Sequence, residues 1–150
     1  MTPSVLESRN VLAEGVARTR DEAIREAGAL LVAAGAVTPA YVDSMFERED
    51  SVSTYMGNFL AIPHGTNEAK ESIVRSSFSF VRYPALLDWD GRPVRFVLGI
   101  AGLDTEHLEI LASIAILFSD DDAVQKLIDA GTAEDIVELL EAVRGAEAAG

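Results

Sequence analysis

Apolar positions in the first third of the chain recur at spacings of three and four, which predicts two amphipathic helices. Thr19, with Glu22 three residues later, forms a capping-box start for the first helix, and Gly35 provides its natural end. Thr38 and Pro39 occupy the N-cap and first helical positions of the second. The residues before the first helix show no clear period, and they predict a turn followed by a brief strand.

The middle of the chain changes to the period of extended strands. Residues 77–83 alternate, which predicts a half-buried or edge strand that Pro84 ends. Residues 94–101 are almost continuously apolar, as expected of a central strand that is covered on both faces. Asp90-Gly91 marks a turn between the two strands.

Helical spacing returns in the last third. A long helix is predicted from Asp104 or Thr105 to Phe118, and Ser119 and Thr132 are predicted caps of two further helices. Helices and strands are thus interspersed throughout, which predicts an α/β fold: a single layered domain over residues 1–150, with a mixed β-sheet flanked by helices on both faces. The tail from about residue 145 is expected to fray.

Composition narrows the classes of function. The net charge of −13 disfavours nucleic acid and anionic lipid as partners and favours basic proteins. The absence of cysteine excludes disulfides, thiolate metal sites and thiol nucleophiles. The start of the chain resembles no export signal and no apolar run is long enough to cross a membrane, so a cytoplasmic protein without membrane insertion is expected.

His64 is the most suggestive candidate for chemistry. It stands between Pro63 and Gly65, directly after the apolar run at residues 59–62, and an imidazole at the end of a strand beside a glycine is well placed to react. The plainer interpretation is an ordinary turn residue. The other histidine, His107, lies in the first turn of a predicted helix beyond the central strand, where it is either a surface residue or a second imidazole near His64.

Other motifs are few. The chain has no glycine-rich nucleotide loop, no Gly-x-Ser-x-Gly elbow and no His-Glu-x-x-His pair, so no cofactor is expected and a metal site is disfavoured. Arg48 lies among Glu47, Glu49 and Asp50 at the end of the second helix. It is either part of a solvated charge cluster or a guanidinium held ready for a phosphoryl group. Met56, Phe59 and Leu60 are either a docking surface or core.

A set of motifs occurs in a fixed order along the chain: Arg48-Glu49, Thr54-Tyr55-Met56-Gly57, Ala61-Ile62-Pro63-His64-Gly65-Thr66, Glu68-Ala69-Lys70, Val97-Leu98-Gly99-Ile100-Ala101 and Glu106-His107. From about residue 6 to residue 140 the chain thereby resembles the mannitol/fructose-type enzyme IIA proteins of the bacterial phosphoenolpyruvate-dependent sugar phosphotransferase system, and the mannitol branch most of all. The resemblance implies an α/β IIA domain and a phosphotransferase activity.

The resemblance also implies a role for each candidate. His64 would be the nucleophile that accepts a phosphoryl group from the histidine phosphocarrier protein and passes it to a cysteine of a sugar-specific IIB domain. His107 would position the group and Arg48 would steady its charge. The phosphoryl-binding candidates are Gly65 and Thr66, which would supply backbone or hydroxyl donors, and, as weaker candidates that would support these donors, Thr54 and Glu68.

Two functions remain open at this point, besides a structural domain without phosphoryl chemistry. The first is uptake of mannitol or a related sugar, with the identity of the sugar undetermined because a IIA domain need not touch it. The alternative is a regulatory module of the nitrogen-type IIA kind, whose phosphorylation state controls a partner without sugar transport. Neither function needs a metal or an organic cofactor, since the donor is itself a phosphohistidine protein.

Overall fold

A five-stranded sheet forms the centre of the molecule. The computed structural model describes residues 10–102, 112 and 114–140. The strands are β1 (Val11–Leu12), β2 (Tyr55–Gly57), β3 (Leu60–Ala61), β4 (Ser77–Trp89) and β5 (Arg92–Ala101), in the spatial order β1-β4-β5-β3-β2. The pairs β1–β4 and β3–β5 are parallel, whereas β2–β3 and β4–β5 are antiparallel. The predicted mixed sheet is therefore confirmed.

Helices cover both faces of this sheet, as predicted. They are α1 (Arg20–Ala33), α2 (Pro39–Ser51), the described helical residues α3 (114–118), α4 (Asp121–Asp129) and α5 (133–140), with a 3-10 helix at Asn67–Ser72. Val81 and Val97 face the core formed with α1 and α2. Phe80 and Phe96 face the core formed with α3, α4 and α5, because successive side chains of a strand point to opposite faces. No helix in the described part of the chain is long and apolar enough to cross a membrane.

The prediction for β4 was wrong in two respects. The strand does not end at Pro84 but continues to Trp89, and its register with β5 shifts between Arg82 and Leu87. Proline is tolerated there because an irregular stretch does not need its missing N–H. The predicted part of the strand, residues 77–83, is also buried on both faces between β1 and β5 rather than half-buried or at an edge. The polar residue Ser79 made this strand look exposed on one face. Ser79 is in fact buried, which is possible because its hydroxyl donates to the Ala27 carbonyl of α1 at 2.8 Å.

Local signals at the element ends are mostly confirmed. The Thr19 hydroxyl accepts from the N–H of Glu22 at 3.2 Å, and Gly35 adopts a φ of 74° just after α1. Ser119 is not the cap of α4, because its hydroxyl donates back to the Ile116 carbonyl at 2.7 Å. Asp120 takes that position.

Candidate functional site

His64 lies just beyond the carboxyl end of β3. That strand runs parallel to β5, and the pairing continues past it as a bridge between His64 and Ile100, in which the N–H of Ile100 donates to the Pro63 carbonyl at 3.0 Å. Ile100 is itself near the end of β5. The imidazole is thus at the edge of the sheet where α/β proteins collect their ligands.

The imidazole of His64 is held by one of its two nitrogens. Nδ1 lies 2.9 Å from the carbonyl oxygen of Ile62. A carbonyl can only accept, so Nδ1 carries the hydrogen of the neutral ring and the lone pair is at Nε2. Nε2 has no hydrogen-bond partner within the described residues, and the side chain is half-buried. This geometry leaves a nucleophilic nitrogen available and fixes which one it is.

Tyr41 of α2 supports the residue that follows His64. Its buried hydroxyl accepts from the N–H of Gly65 at 2.9 Å and donates to the Ile100 carbonyl at 2.7 Å. A Cβ at Gly65 would lie 2.5 Å from the tyrosine ring, so only glycine allows this approach. The loop that contains His64 is therefore attached to both α2 and β5.

Arg48, at the carboxyl end of α2, has a guanidinium that is mostly uncommitted. Its Nη1 donates to the Val52 carbonyl at 2.7 Å, and it forms no ion pair with any residue that the structure describes. The segment after Val52 returns to the histidine loop, since the N–H of Ile62 donates to the Thr54 carbonyl at 3.1 Å. The chain between Arg48 and His64 is thus held by hydrogen bonds near both of its ends, at Val52 and at Ile62.

Glu49, the neighbour of Arg48, is a buried carboxylate with three donors. It accepts from the N–H of Thr54 at 2.8 Å, from the Thr54 hydroxyl at 2.5 Å and from Trp89 Nε1 at 3.1 Å. Because the Thr54 hydroxyl is already donated inside the protein and Thr54 is buried, a direct contact with a phosphoryl group would require this bond to break. In the described structure Thr54 supports the loop through Glu49, and its predicted indirect role beside the phosphoryl group stays a prediction.

The structure describes only some of the remaining predicted site residues. Gly65 and Thr66 lie directly after His64 and are half-buried, and the Thr66 carbonyl accepts from the N–H of Ala69 within the 3-10 helix. Glu68 is part of that helix, but its side chain lies outside the described part of the structure. His107 also lies outside the described residues, so its predicted approach to His64 stays a prediction.

Comparison with known proteins identifies the family. The model described as "Phosphoenolpyruvate-dependent sugar phosphotransferase system, EIIA 2" matches residues 4–143. The chain belongs to this family. It is 48% identical, over 93% of its length and 97% of the relative, to the mannitol-specific phosphotransferase enzyme IIA component of Halalkalibacterium halodurans. It is 49% identical to the protein of the same name from Staphylococcus aureus strain Mu50, over 82% of its length and 85% of that relative.

Solved structures of IIA proteins have the same fold as this IIA chain. The crystal structure of IIA mannitol from Escherichia coli aligns with a TM-score of 0.81 and 34% identity, over 89% of this chain and 97% of that one. A second Escherichia coli structure, a complex of enzyme IIA of the mannitol system with phosphorylated enzyme IIB, aligns with a TM-score of 0.82 and 32% identity, over 91% and 99%. The predicted family and its mannitol branch are thus confirmed.

The surface of this IIA chain beside the site is partly apolar. Met56 is 51% exposed, whereas Leu60 is fully buried, so of the two only Met56 is available to a partner. The turn after β2 has positive φ at Asn58 (48°) and Phe59 (69°), and the Phe59 carbonyl accepts from two N–H groups of β5 that hold this conformation. A surface cleft of about 370 Å³ opens between Met56 and Phe118 of α3.

Two residues of the site were missed as functional candidates, Tyr41 and Glu49. Tyr41 was not singled out from the sequence, and Glu49 was considered only as a member of the charge cluster around Arg48. Their spacing was available as a signal, because Tyr41, Met45 and Glu49 follow one another at intervals of four on one helix face. A carboxylate on the buried face of a helix indicates a hydrogen-bond acceptor with partners inside the protein. The part of the chain that the structure describes contains no cluster of three His, Cys, Asp or Glu side chains that could hold a metal ion.

Proposed function

We propose that this chain is a phosphocarrier that accepts a phosphoryl group on His64 Nε2 and donates it to a sugar-specific IIB domain. The observation that carries the proposal is the hydrogen bond between His64 Nδ1 and the Ile62 carbonyl, which leaves Nε2 with its lone pair at the ligand-binding edge of the sheet. Membership of the IIA family supports the reaction class. His107 and Arg48 would place the group and balance its charge.

The transfer is an in-line displacement at phosphorus. The Nε2 lone pair of His64 forms the new N–P bond while the N–P bond of the donor phosphohistidine breaks, and the donor imidazole leaves with that electron pair. The His64 ring becomes more positive as the bond forms, and its Nδ1–H then donates more strongly to the Ile62 carbonyl. A cysteine thiolate of the IIB domain would later attack the same phosphorus and return the neutral ring.

Mannitol is the substrate class that the relatives favour. Two relatives that are 48% and 49% identical to this chain are named mannitol-specific. The Nitrogen Regulatory Protein IIA-Ntr from Neisseria meningitidis has the same fold, but it is 26% identical. We therefore propose a role in the uptake of mannitol or a related hexitol, with the histidine phosphocarrier protein as donor. The Escherichia coli complex of a similar IIA protein with phosphorylated enzyme IIB supports a IIB domain as acceptor.

The experiment that tests this uses the phosphorylated histidine phosphocarrier protein as donor. The wild-type chain should gain one phosphoryl group on His64, and a phosphorylated chain should transfer it to the IIB domain of a mannitol system. His64→Asn should accept none, because its amide keeps a donor for the Ile62 carbonyl but lacks the nucleophilic Nε2. His107→Ala should remain folded and transfer slowly.

Mass spectrometry of the modified peptide separates the outcomes. Phosphorylation of His64→Asn at wild-type level would sink the assignment of His64. Phosphorylation at His64 without transfer to any IIB domain, together with phosphorylation-dependent binding of a regulator or kinase, would favour the regulatory alternative.

A further inference from the structure

We infer that Tyr41 is a positioning residue for phosphoryl transfer, because its hydroxyl is inserted between the His64 loop and strand β5 and sets the place of the nucleophile. This inference rests on the proposed function of His64. Tyr41 does not contact the reacting atoms in this arrangement. It acts through the backbone of Gly65, the residue directly after the histidine.

The position of the hydroxyl in the β-ladder is the first observation. His64 and Ile100 form a parallel bridge, in which the N–H of Ile100 donates to the Pro63 carbonyl. In a regular parallel ladder the next bond would run directly from the N–H of Gly65 to the Ile100 carbonyl. Here the Tyr41 hydroxyl stands between these two groups, accepting from the first at 2.9 Å and donating to the second at 2.7 Å. The side chain therefore extends the ladder by one inserted link, and that link fixes the spacing between the His64 loop and β5.

The Tyr41 hydroxyl both donates and accepts a hydrogen bond, and it is buried. Its one hydrogen and one of its lone pairs are both engaged, and the residue is 3% exposed, so water does not readily replace it. Burial raises the pKa of Tyr41, although the Gly65 N–H lowers it somewhat, so the proton that bridges to Ile100 stays in place at neutral pH. The backbone of Tyr41 is held in turn, because the Ser44 hydroxyl donates to its carbonyl at 2.6 Å.

Close packing around the Tyr41 hydroxyl leaves the His64 loop little room to move. A Cβ at Gly65 would lie 2.5 Å from Tyr41 Cε1 and 2.5 Å from Ser44 Oγ, so the loop already rests against both side chains. His64 is thus fixed on two sides: its ring by the Ile62 carbonyl and its backbone by Ile100 and Tyr41. Removal of the hydroxyl would leave the half-buried N–H of Gly65 and the buried carbonyl of Ile100 without this partner and free the loop to move. A displacement of about 1 Å at a reacting group costs transfer reactions up to ~100-fold in rate.

Tyr41→Phe tests the inference, with Tyr83→Phe as its matched control. Tyr83 is also a buried tyrosine, but its hydroxyl donates to Glu26 of α1 at 2.8 Å rather than to a backbone group of the His64 edge. Single-turnover transfer from the phosphorylated histidine phosphocarrier protein is measured over a range of donor concentrations. For Tyr41→Phe we expect the maximal rate to fall about 10- to 100-fold while the half-saturating donor concentration stays within about twofold. Tyr83→Phe should keep the wild-type rate.

A nitrogen NMR measurement gives a readout that a purely structural role would not change. The wild-type His64 ring should carry its proton on Nδ1, and Tyr41→Phe should shift part of the population to the Nε2–H tautomer as the loop loosens. An unchanged rate and tautomer in folded Tyr41→Phe would overturn the inference, as would an equal loss of rate in Tyr83→Phe.

If Tyr41→Phe does not fold, Gly65→Ala displaces the same hydroxyl with the tyrosine retained, and a wild-type rate in that variant would also overturn it. Failure of the wild-type chain to accept phosphate would instead refute the proposed function, so the two results are separable.

Discussion

Two buried tyrosines, Tyr41 and Tyr83, are packed in nearly the same way but bonded to different kinds of partner. Each ring lies against a buried or half-buried glycine at which a Cβ would be only 2.4 to 2.5 Å from the ring, Gly65 for Tyr41 and Gly15 for Tyr83. The Tyr41 hydroxyl bridges two backbone groups of the His64 edge. The Tyr83 hydroxyl donates to the Glu26 carboxylate, which also accepts from the N–H groups of Val16 and Ala17.

The difference in hydrogen-bond partners distinguishes a contact that only stabilises from one that also sets a spacing. A carboxylate that gathers several donors stabilises a connection wherever it lies, and small shifts in it are tolerated because each oxygen accepts over a broad range of directions. A hydroxyl inserted between two fixed backbone groups defines a spacing, since it must satisfy both at once. We therefore expect changes around Tyr83 to affect stability alone and changes around Tyr41 to affect both stability and transfer.

The largest expected effect comes from adding a methyl group at each glycine. Gly65→Ala and Gly15→Ala should each lower the free energy of unfolding by roughly 1–3 kcal/mol, because both methyl groups overlap a tyrosine ring. Only Gly65→Ala should also slow phosphoryl transfer, by about 100-fold, because it moves the backbone next to His64. Urea denaturation and single-turnover transfer measure the two quantities. Equal rates in the two variants would remove the distinction between the two tyrosines.

The next effect concerns the two carboxylates that accept backbone N–H groups, Glu49 and Glu26. Glu49→Gln should lower the free energy of unfolding by roughly 1–3 kcal/mol, because one amide oxygen cannot replace two carboxylate oxygens for three buried donors. Glu26→Gln should cost less, since Glu26 is half-buried and water can compensate.

Fluorescence of Trp89, the single tryptophan, follows unfolding in both variants. Glu49→Gln should also slow transfer, because it loosens the segment between Arg48 and His64. A larger loss of stability or of transfer rate in Glu26→Gln would contradict this ranking.

The smallest expected effect is a loss of stability at alkaline pH. Burial raises the pKa of both tyrosines, and for Tyr83 the hydrogen bond and the negative charge of Glu26 raise it further. Above a pH of about 10 the unfolded chain therefore releases tyrosine protons that the folded chain retains, and stability falls by up to about 1.4 kcal/mol per pH unit for each group. Below a pH of about 10 this contribution is fully present.

Tyr83→Phe should flatten that alkaline decline relative to wild type, as measured by urea midpoints between pH values of about 8 and about 11. Tyr41→Phe should do the same to a lesser extent, because its Gly65 contact lowers the pKa. An identical decline in wild type and Tyr83→Phe would show that Tyr83 does not titrate as its surroundings require.

Local signals in the sequence predicted much of the fold because they arise from single turns of chain. The cap at Thr19 and the turn at Asp90-Gly91, where Asp90 has a φ of 54° and Gly91 of 90°, are local in this sense. The continuation of β4 past Pro84 was not predictable in this way, because it depends on the pairing of β4 with β5, whose register shifts between Arg82 and Leu87. Ser79 was misread for the same reason, since its partner Ala27 is distant in sequence.

The same distinction between local signals and contacts with distant residues applies to the candidate site. The identity of His64 was suggested by its neighbours and by the family motif, whereas the orientation of its ring depends on the Ile62 carbonyl and was visible only in three dimensions. The role of Glu49 was left open within the charge cluster around Arg48, because its donors Thr54 and Trp89 surround it only in the folded structure. The sequence pattern therefore predicted which residue types lie near the site, and tertiary contacts determined which hydrogen-bond partners each of them has.

The parallel pairing of β3 with β5 also has a consequence for the order of folding. The antiparallel β4–β5 hairpin closes a short loop and can form early, whereas the bridge between His64 and Ile100 must bring together distant parts of the chain. Tyr41 is more distant still from Ile100 in sequence. We therefore expect the nucleophile to reach its place only in the last stage of folding, so that an incompletely folded chain would not draw phosphoryl groups from the donor.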